Sequence, residues 1–141
     1  MLGASGATLA PFLDGVRISL HILAATIWVG GQIALAGVVP KLRAFGSEAT
    51  KAVANQFAKL AWPAFGVLVI TGFWNYFEVA KVKPSSQWMA VFSIKMFFVI
   101  ASGVGAFFHA RSKSKAGLAI WGSVAGTGAI VALVLGVFIA G

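Results

Sequence analysis

The sequence predicts an all-α membrane protein: an antiparallel four-transmembrane-helix bundle with both termini outside. Three observations carry the prediction. Hydrophobic residues make up 60% of the 141 and charged residues only 10%, against roughly 25% charged in soluble domains. A water-soluble chain of this size has no core large enough to hide that much apolar surface. The apolar residues fall into four runs, near residues 14–39, 54–80, 87–110 and 116–140. Each exceeds the ~20 residues that a helix needs to cross ~30 Å of hydrocarbon. The polar breaks between them are short, which makes successive helices antiparallel neighbours. Transmembrane strands would be shorter and would alternate in polarity. No internal repeat, low-complexity segment or second domain is visible, so residues 1–141 read as one transmembrane domain.

The first run follows Pro11 and is expected to close at Pro40. The residues before it have no basic stretch or separate apolar core preceding a cleavage site, and do not read as a removable signal peptide. The second run contains Pro63 in KLAWPAFG, where a kink is expected; neighbouring helices can satisfy the freed carbonyl. Pro84, Ser85 and Ser86 form the break before the third run. The fourth contains Gly122 and Gly126 in GxxxG spacing, and Gly30, Gly31, Gly103 and Gly105 thin runs one and three. The ordinary reading of these glycines is close helix packing. They also leave room for a flat cofactor.

Cations cluster in the breaks. Lys41, Arg43 and Lys51, with Lys59 nearby, mark the first, and Arg111, Lys113 and Lys115 the third. The opposite side has Arg17, Lys81 and Lys83, offset by Asp14 and Glu78. The positive-inside rule then places both termini outside. The net charge of +8 follows this loop pattern and suits anionic lipid headgroups rather than nucleic acid. Cysteine is absent, which excludes disulfides, thiolate metal sites and thiol catalysis. No phosphate loop, Ser/His/acid set or paired carboxylates is present.

Two polar residues share one depth. His21 lies seven residues beyond Asp14, and Lys95 eight beyond Gln87, or roughly 10 and 12 Å below the same surface at 1.5 Å per residue. His109 falls at the far end of run three, roughly 20 Å away in depth. Lys95 stands far from both ends of its run, where a charge costs at least ~2–3 kcal/mol and marks a functional site by default. It needs a partner or must lose its proton. No run has an acid in its interior, so the counter-charge is expected from a cofactor or lipid, or from Glu78 or Asp14 if the side chain stretches. His21 shares a helical stripe with Arg17, Trp28, Gly31 and Leu35, bordered by Gln32. A second stripe runs through Trp88, Phe92, Lys95, Ser102, Ala106 and His109. The two can face each other across the bundle interior.

A facing histidine and lysine suit haem b. Neutral imidazole is an axial ligand, and a lysine in the same layer neutralises a propionate. The candidate cofactor-binding residues are therefore His21, Lys95, Trp28 and Gln32, and the candidate metal ligands are His21 and His109. Copper is the alternative, with Met89 and Met96 near Lys95. A third reading is an accessory subunit of a larger membrane complex, because five tryptophans and twelve phenylalanines serve lipid belts and interfaces equally well.

LHILAATIWVGGQ resembles the first helix of the copper-resistance D (CopD-like) membrane proteins, and KLAWPAFGVLVITGFW resembles their Pro-then-Thr-Gly helix. IKMFFVIASGVGAFFHA, a lysine followed by a distal histidine, is similar to the HemJ-type protoporphyrinogen oxidases, four-helix membrane proteins associated with haem b. That resemblance implies functional roles for His21 and Lys95, with His109 as the distal histidine. It also implies an oxidoreductase, while the CopD-like resemblance implies copper handling. The expected setting is the bacterial cytoplasmic (inner) membrane. The expected partners are lipids, and a second copy of the chain or a larger complex.

Overall fold

The computed structural model describes residues 8–140; most of the stretch considered above as a signal peptide lies outside them. Four helices account for nearly all of this range: α1 (Phe12–Phe45), α2 (Ser47–Ala80), α3 (Ser86–Arg111) and α4 (Lys115–Ala140). Each is long and apolar enough to cross a membrane, and there is no strand among the described residues. The chain is an all-α, multi-pass, four-helix bundle. One end of the bundle carries the beginning of α1 and the end of α4, and is called here the terminal face. The other carries the first and third connections, and is called the loop face.

Helix ends differ from the hydropathy reading in two places, each for a physical reason. The first helix runs through Pro40 to Leu42 and closes with a 3-10 turn, Arg43–Phe45. Proline removes one amide donor, but its φ is helical, so near the loop face the helix loses one hydrogen bond and continues. It stops at Gly46, whose φ of 95° is a left-handed value that glycine adopts without strain. Gly46 is the entire connection, since α2 begins at Ser47, seven residues before the apolar run at 54. Ser47, Glu48, Thr50 and Lys51 are helical but polar, so hydropathy does not register them. The second helix then continues through Pro63 as one element. At the start of α3, the Ser85 hydroxyl accepts the Trp88 amide at 3.1 Å, a serine N-cap.

Two helix pairs form. In the α3–α4 pair the contact is made by small residues. A Cβ at Gly128 would stand 2.9 Å from the Phe98 carbonyl oxygen, and one at Gly105 would stand 2.7 Å from the Ala125 amide nitrogen. Ala125, Ala129 and Ala132 are buried beside them. Backbones this close gain the van der Waals contact that drives association in lipid. Of the GxxxG pair, Gly126 faces open space and Gly122 lies under the His109 ring, so the tight crossing is elsewhere. In the α1–α2 pair, Ala24, Ala61 and Ala64 are buried.

The pairs meet at a π-helical turn in α1, Thr26–Gly30, which packs against α4. Trp28 and Val29 are both buried there. The Trp28 indole donates to the Ser102 hydroxyl at 3.0 Å, and Ser102 donates to the Ala125 carbonyl at 2.8 Å. Trp28 also packs on Phe65 and Trp62, with ring centroids 4.4 and 5.5 Å away. One indole of α1 therefore packs on α2, donates to α3 and is linked through that serine to α4.

This packing separates two glycines of the same helix. Gly128→Ala should cost about 1–3 kcal/mol of stability, the usual cost of overpacking, because its Cβ meets backbone. Gly126→Ala should change stability by less than about 0.5 kcal/mol. Unfolding in mixed micelles, followed by circular dichroism, measures both.

Candidate functional site

His21, Thr71 and Lys95 each lie nine residues from the end of their own helix at the terminal face, counted from Phe12, Ala80 and Ser86. At 1.5 Å per residue all three backbones are about 14 Å deep. The antiparallel register of α1 and α2 sets two polar rungs one turn apart. Nearer the surface, buried Arg17 donates to the Asn75 side-chain carbonyl and, at 2.8 Å, to Asp14. One turn deeper, His21 Nδ1 lies 2.8 Å from Thr71 Oγ1.

The second rung sets the tautomer of His21. The Thr71 hydroxyl has one proton, and its best acceptor is the Val67 carbonyl of its own helix, at 2.7 Å. Threonine commonly bonds back in this way within helices. Thr71 oxygen then accepts, and His21 Nδ1–H donates. The ring also faces the Leu68 carbonyl, a further acceptor. In a neutral imidazole with its proton on Nδ1, the lone pair is on Nε2, and no protein group among the described residues hydrogen-bonds that nitrogen. The ring lies beside Gly72, where an added Cβ would make ordinary contact with ring Cε1 at 3.5 Å.

Lys95 is the nearby cation, within electrostatic reach of the His21 ring. The chain has three acids, and each is paired elsewhere: Asp14 with Arg17 at 2.8 Å, Glu48 with Lys51 at 3.5 Å and Glu78 with Lys81 at 2.6 Å. Among the described residues no carboxylate lies within 4.0 Å of Lys95. Its depth is less extreme than its position in the sequence suggests. The side chain crosses α4 at Gly136, where a Cβ would stand 3.1 Å from Nζ. Gly136 is only four residues from the end of α4. The ammonium thus climbs toward the terminal face along a groove that glycine leaves open, as long cationic side chains do in membranes.

The other candidates stand apart from this pair. The two predicted stripes do meet, but at Trp28 and Ser102, so the Trp28 indole N–H is occupied below the site. Gln32 donates to the Trp28 carbonyl of its own helix at 3.0 Å. His109 is exposed near the loop face, its Nδ1 2.8 Å from the Leu118 carbonyl. Fourteen residues of α3 separate Lys95 from His109, or about 21 Å, so the two histidines do not form a shared metal site. Among the described residues no group of three His, Cys, Asp or Glu side chains is placed to hold a metal ion. Thr71, Asn75 and Gly136 are site residues that the sequence did not single out. The Thr-Gly of VITGFW was the available signal for the first.

The tautomer is directly measurable. In the ligand-free protein, 15N NMR of His21 should show a protonated Nδ1 and an unprotonated Nε2. Thr71→Val should shift this toward a mixture of tautomers and cost about 1–2 kcal/mol of stability, as expected when a buried donor loses its acceptor. No protein-family model, curated protein or solved structure matches the chain.

Proposed function

We propose that the chain binds b-type haem, or a closely similar porphyrin, with His21 Nε2 as axial ligand and Lys95 as partner of a propionate. The carrying observation is the His21–Thr71 hydrogen bond beside a lysine without a carboxylate. A ligating histidine ordinarily donates its other ring N–H to an acceptor, which fixes tautomer and orientation. Thr71 supplies that acceptor. Among the described residues no carboxylate answers Lys95, and haem brings two. The resemblance of the first-helix histidine and third-helix lysine to those of HemJ-type proteins supports the same reading, whereas the CopD-like resemblance points to copper.

The donor set tests the fit. Haem carries four of its own nitrogen donors and needs only axial ligands from the protein. Copper held by the protein would need several donors around one point. Near His21 the described residues offer one imidazole, no cysteine, and a cation that repels the metal. Porphyrin therefore fits better than copper. Close backbone approach of α1 to the α3–α4 pair is made at the π turn, so the ring would lie on the terminal side of that turn, where His21 and Lys95 are. Two surface grooves, along the outer side of α1 and between α3 and α4 near Phe97, contain neither His21 nor Lys95.

A bound haem supplies one-electron chemistry. The chain's own residues would hold it: Thr71 fixes the imidazole, Lys95 would pair with a propionate, and Trp28 lies below the His21 layer. The proposed role is redox or porphyrin oxidation in the bacterial inner membrane, with both termini outside.

Absorption of the purified protein, titrated with haemin, tests the proposal. A Soret shift should appear in the parent and be lost in His21→Ala. His109→Gln should retain it. Lys95→Met should fold normally and bind roughly 10-fold more weakly, the loss expected for one hydrogen bond to a charged group. A colourless protein with stoichiometric copper would replace this reading with copper handling. A chain that binds neither and co-purifies with a larger membrane complex would be an accessory subunit.

A further inference from the structure

The helices have two lengths. Those of the α1–α2 pair are 34 residues each and those of the α3–α4 pair 26, about 51 and 39 Å. A bilayer with its headgroups is about 40–45 Å thick, so the shorter pair matches it and the longer pair projects. The projection is on the loop face, because the terminal ends are level. Tyr76 of α2 stacks on Phe92 of α3 at 4.8 Å, and the Trp88 indole of α3 bonds to the Ile139 carbonyl of α4 at 2.9 Å.

This mismatch exposes one face of α2. Phe65 and Tyr76 mark the side of α2 that faces α3, against Gly103 and Phe92. Followed back in steps of seven from Phe65, that side carries Ala58 and then Lys51. Lys51 lies 29 residues from the terminal end of α2, and α3 ends 25 residues from Ser86. Lys51 therefore stands about 6 Å beyond the end of α3, above the corner made by Arg111, Lys113 and Lys115. Exposed Asn55 is level with Arg111. The result is a step, with α2 as its wall and the α3–α4 corner as its floor.

The step is basic and poorly neutralised. Arg111 stacks on Phe107, its guanidinium carbon 3.6 Å from the ring centroid, which holds it at the rim. Lys113 and Lys115 are exposed, and among the described residues no acid lies within 4.0 Å of these three cations. Lys51 meets Glu48 only at 3.5 Å, with both side chains largely exposed. At the terminal face, by contrast, Arg17 and Lys81 are each paired.

We propose that this step seats the headgroup of an anionic phospholipid, its phosphate over Arg111, Lys113 and Lys115 and Lys51 closing the side. The floor is at headgroup depth, where a phospholipid is always at hand, and its acyl chains would run down the apolar sides of α2 and α3. The proposal is independent of the haem reading.

Native mass spectrometry of the detergent-solubilised chain, titrated with phosphatidylglycerol or phosphatidylcholine, tests it. Phosphatidylglycerol should bind at least 10-fold more tightly. Lys51→Gln should weaken it about 5-fold, and Arg111→Gln/Lys113→Gln by about 5-fold for each cation removed. Lys81→Gln/Lys83→Gln removes equal charge at the other face and should leave the affinity unchanged. Equal binding of the two lipids, or an equal loss in the Lys81/Lys83 control, would overturn the proposal.

Discussion

A polar side chain in hydrocarbon must find a partner or carry a large desolvation cost. The hydrogen bond between His21 and Thr71 meets that demand for one ring nitrogen and leaves the other without a hydrogen-bond partner among the described residues. Its partner has no freedom, because Thr71 is itself bonded back to the Val67 carbonyl. The imidazole is thereby fixed in tautomer and direction by two helices at once. Arg17 and Asn75, one turn nearer the surface, keep those helices in the register on which the bond depends.

The rest of the bundle supports this rung. Small residues let α3 and α4 approach closely, and that rigid pair presents Ser102 to the Trp28 indole. The π turn in α1 places adjacent residues, Trp28 and Val29, both inside the bundle, which a regular helix turn does less readily. π turns frequently occur at functional sites. Here the turn lies below the His21 layer and is where the two pairs meet, with His21 on its terminal side. Lys95 approaches the same side from α3 because Gly136 leaves α4 without a side chain there.

Much of this was legible in the sequence. The four apolar runs give the helices, and counting residues from their ends gives the shared layer of His21 and Lys95. The missing pieces are of kinds that one sequence does not encode openly. The polar stretch 47–53 is helical because it continues a helix beyond the apolar zone, which hydropathy cannot register. Gly105 is among the glycines that the sequence marks for close packing, but the GxxxG spacing points to Gly122 and Gly126 in α4, whereas it is Gly128 whose backbone meets α3. Thr71 is an ordinary residue until the α1–α2 register sets it opposite His21. The reach of the Lys95 side chain depends on a glycine in another helix.

The most direct measurement is electron–nuclear double resonance on the haemin-titrated ferric protein carrying 15N-histidine. His109→Gln leaves His21 as the only histidine. A ring-nitrogen hyperfine coupling in that variant, at the strength of a directly ligated imidazole, is the predicted result. Haemin bound without any histidine nitrogen coupling, or coupling that vanishes with His109, would show that His21 is not the ligand.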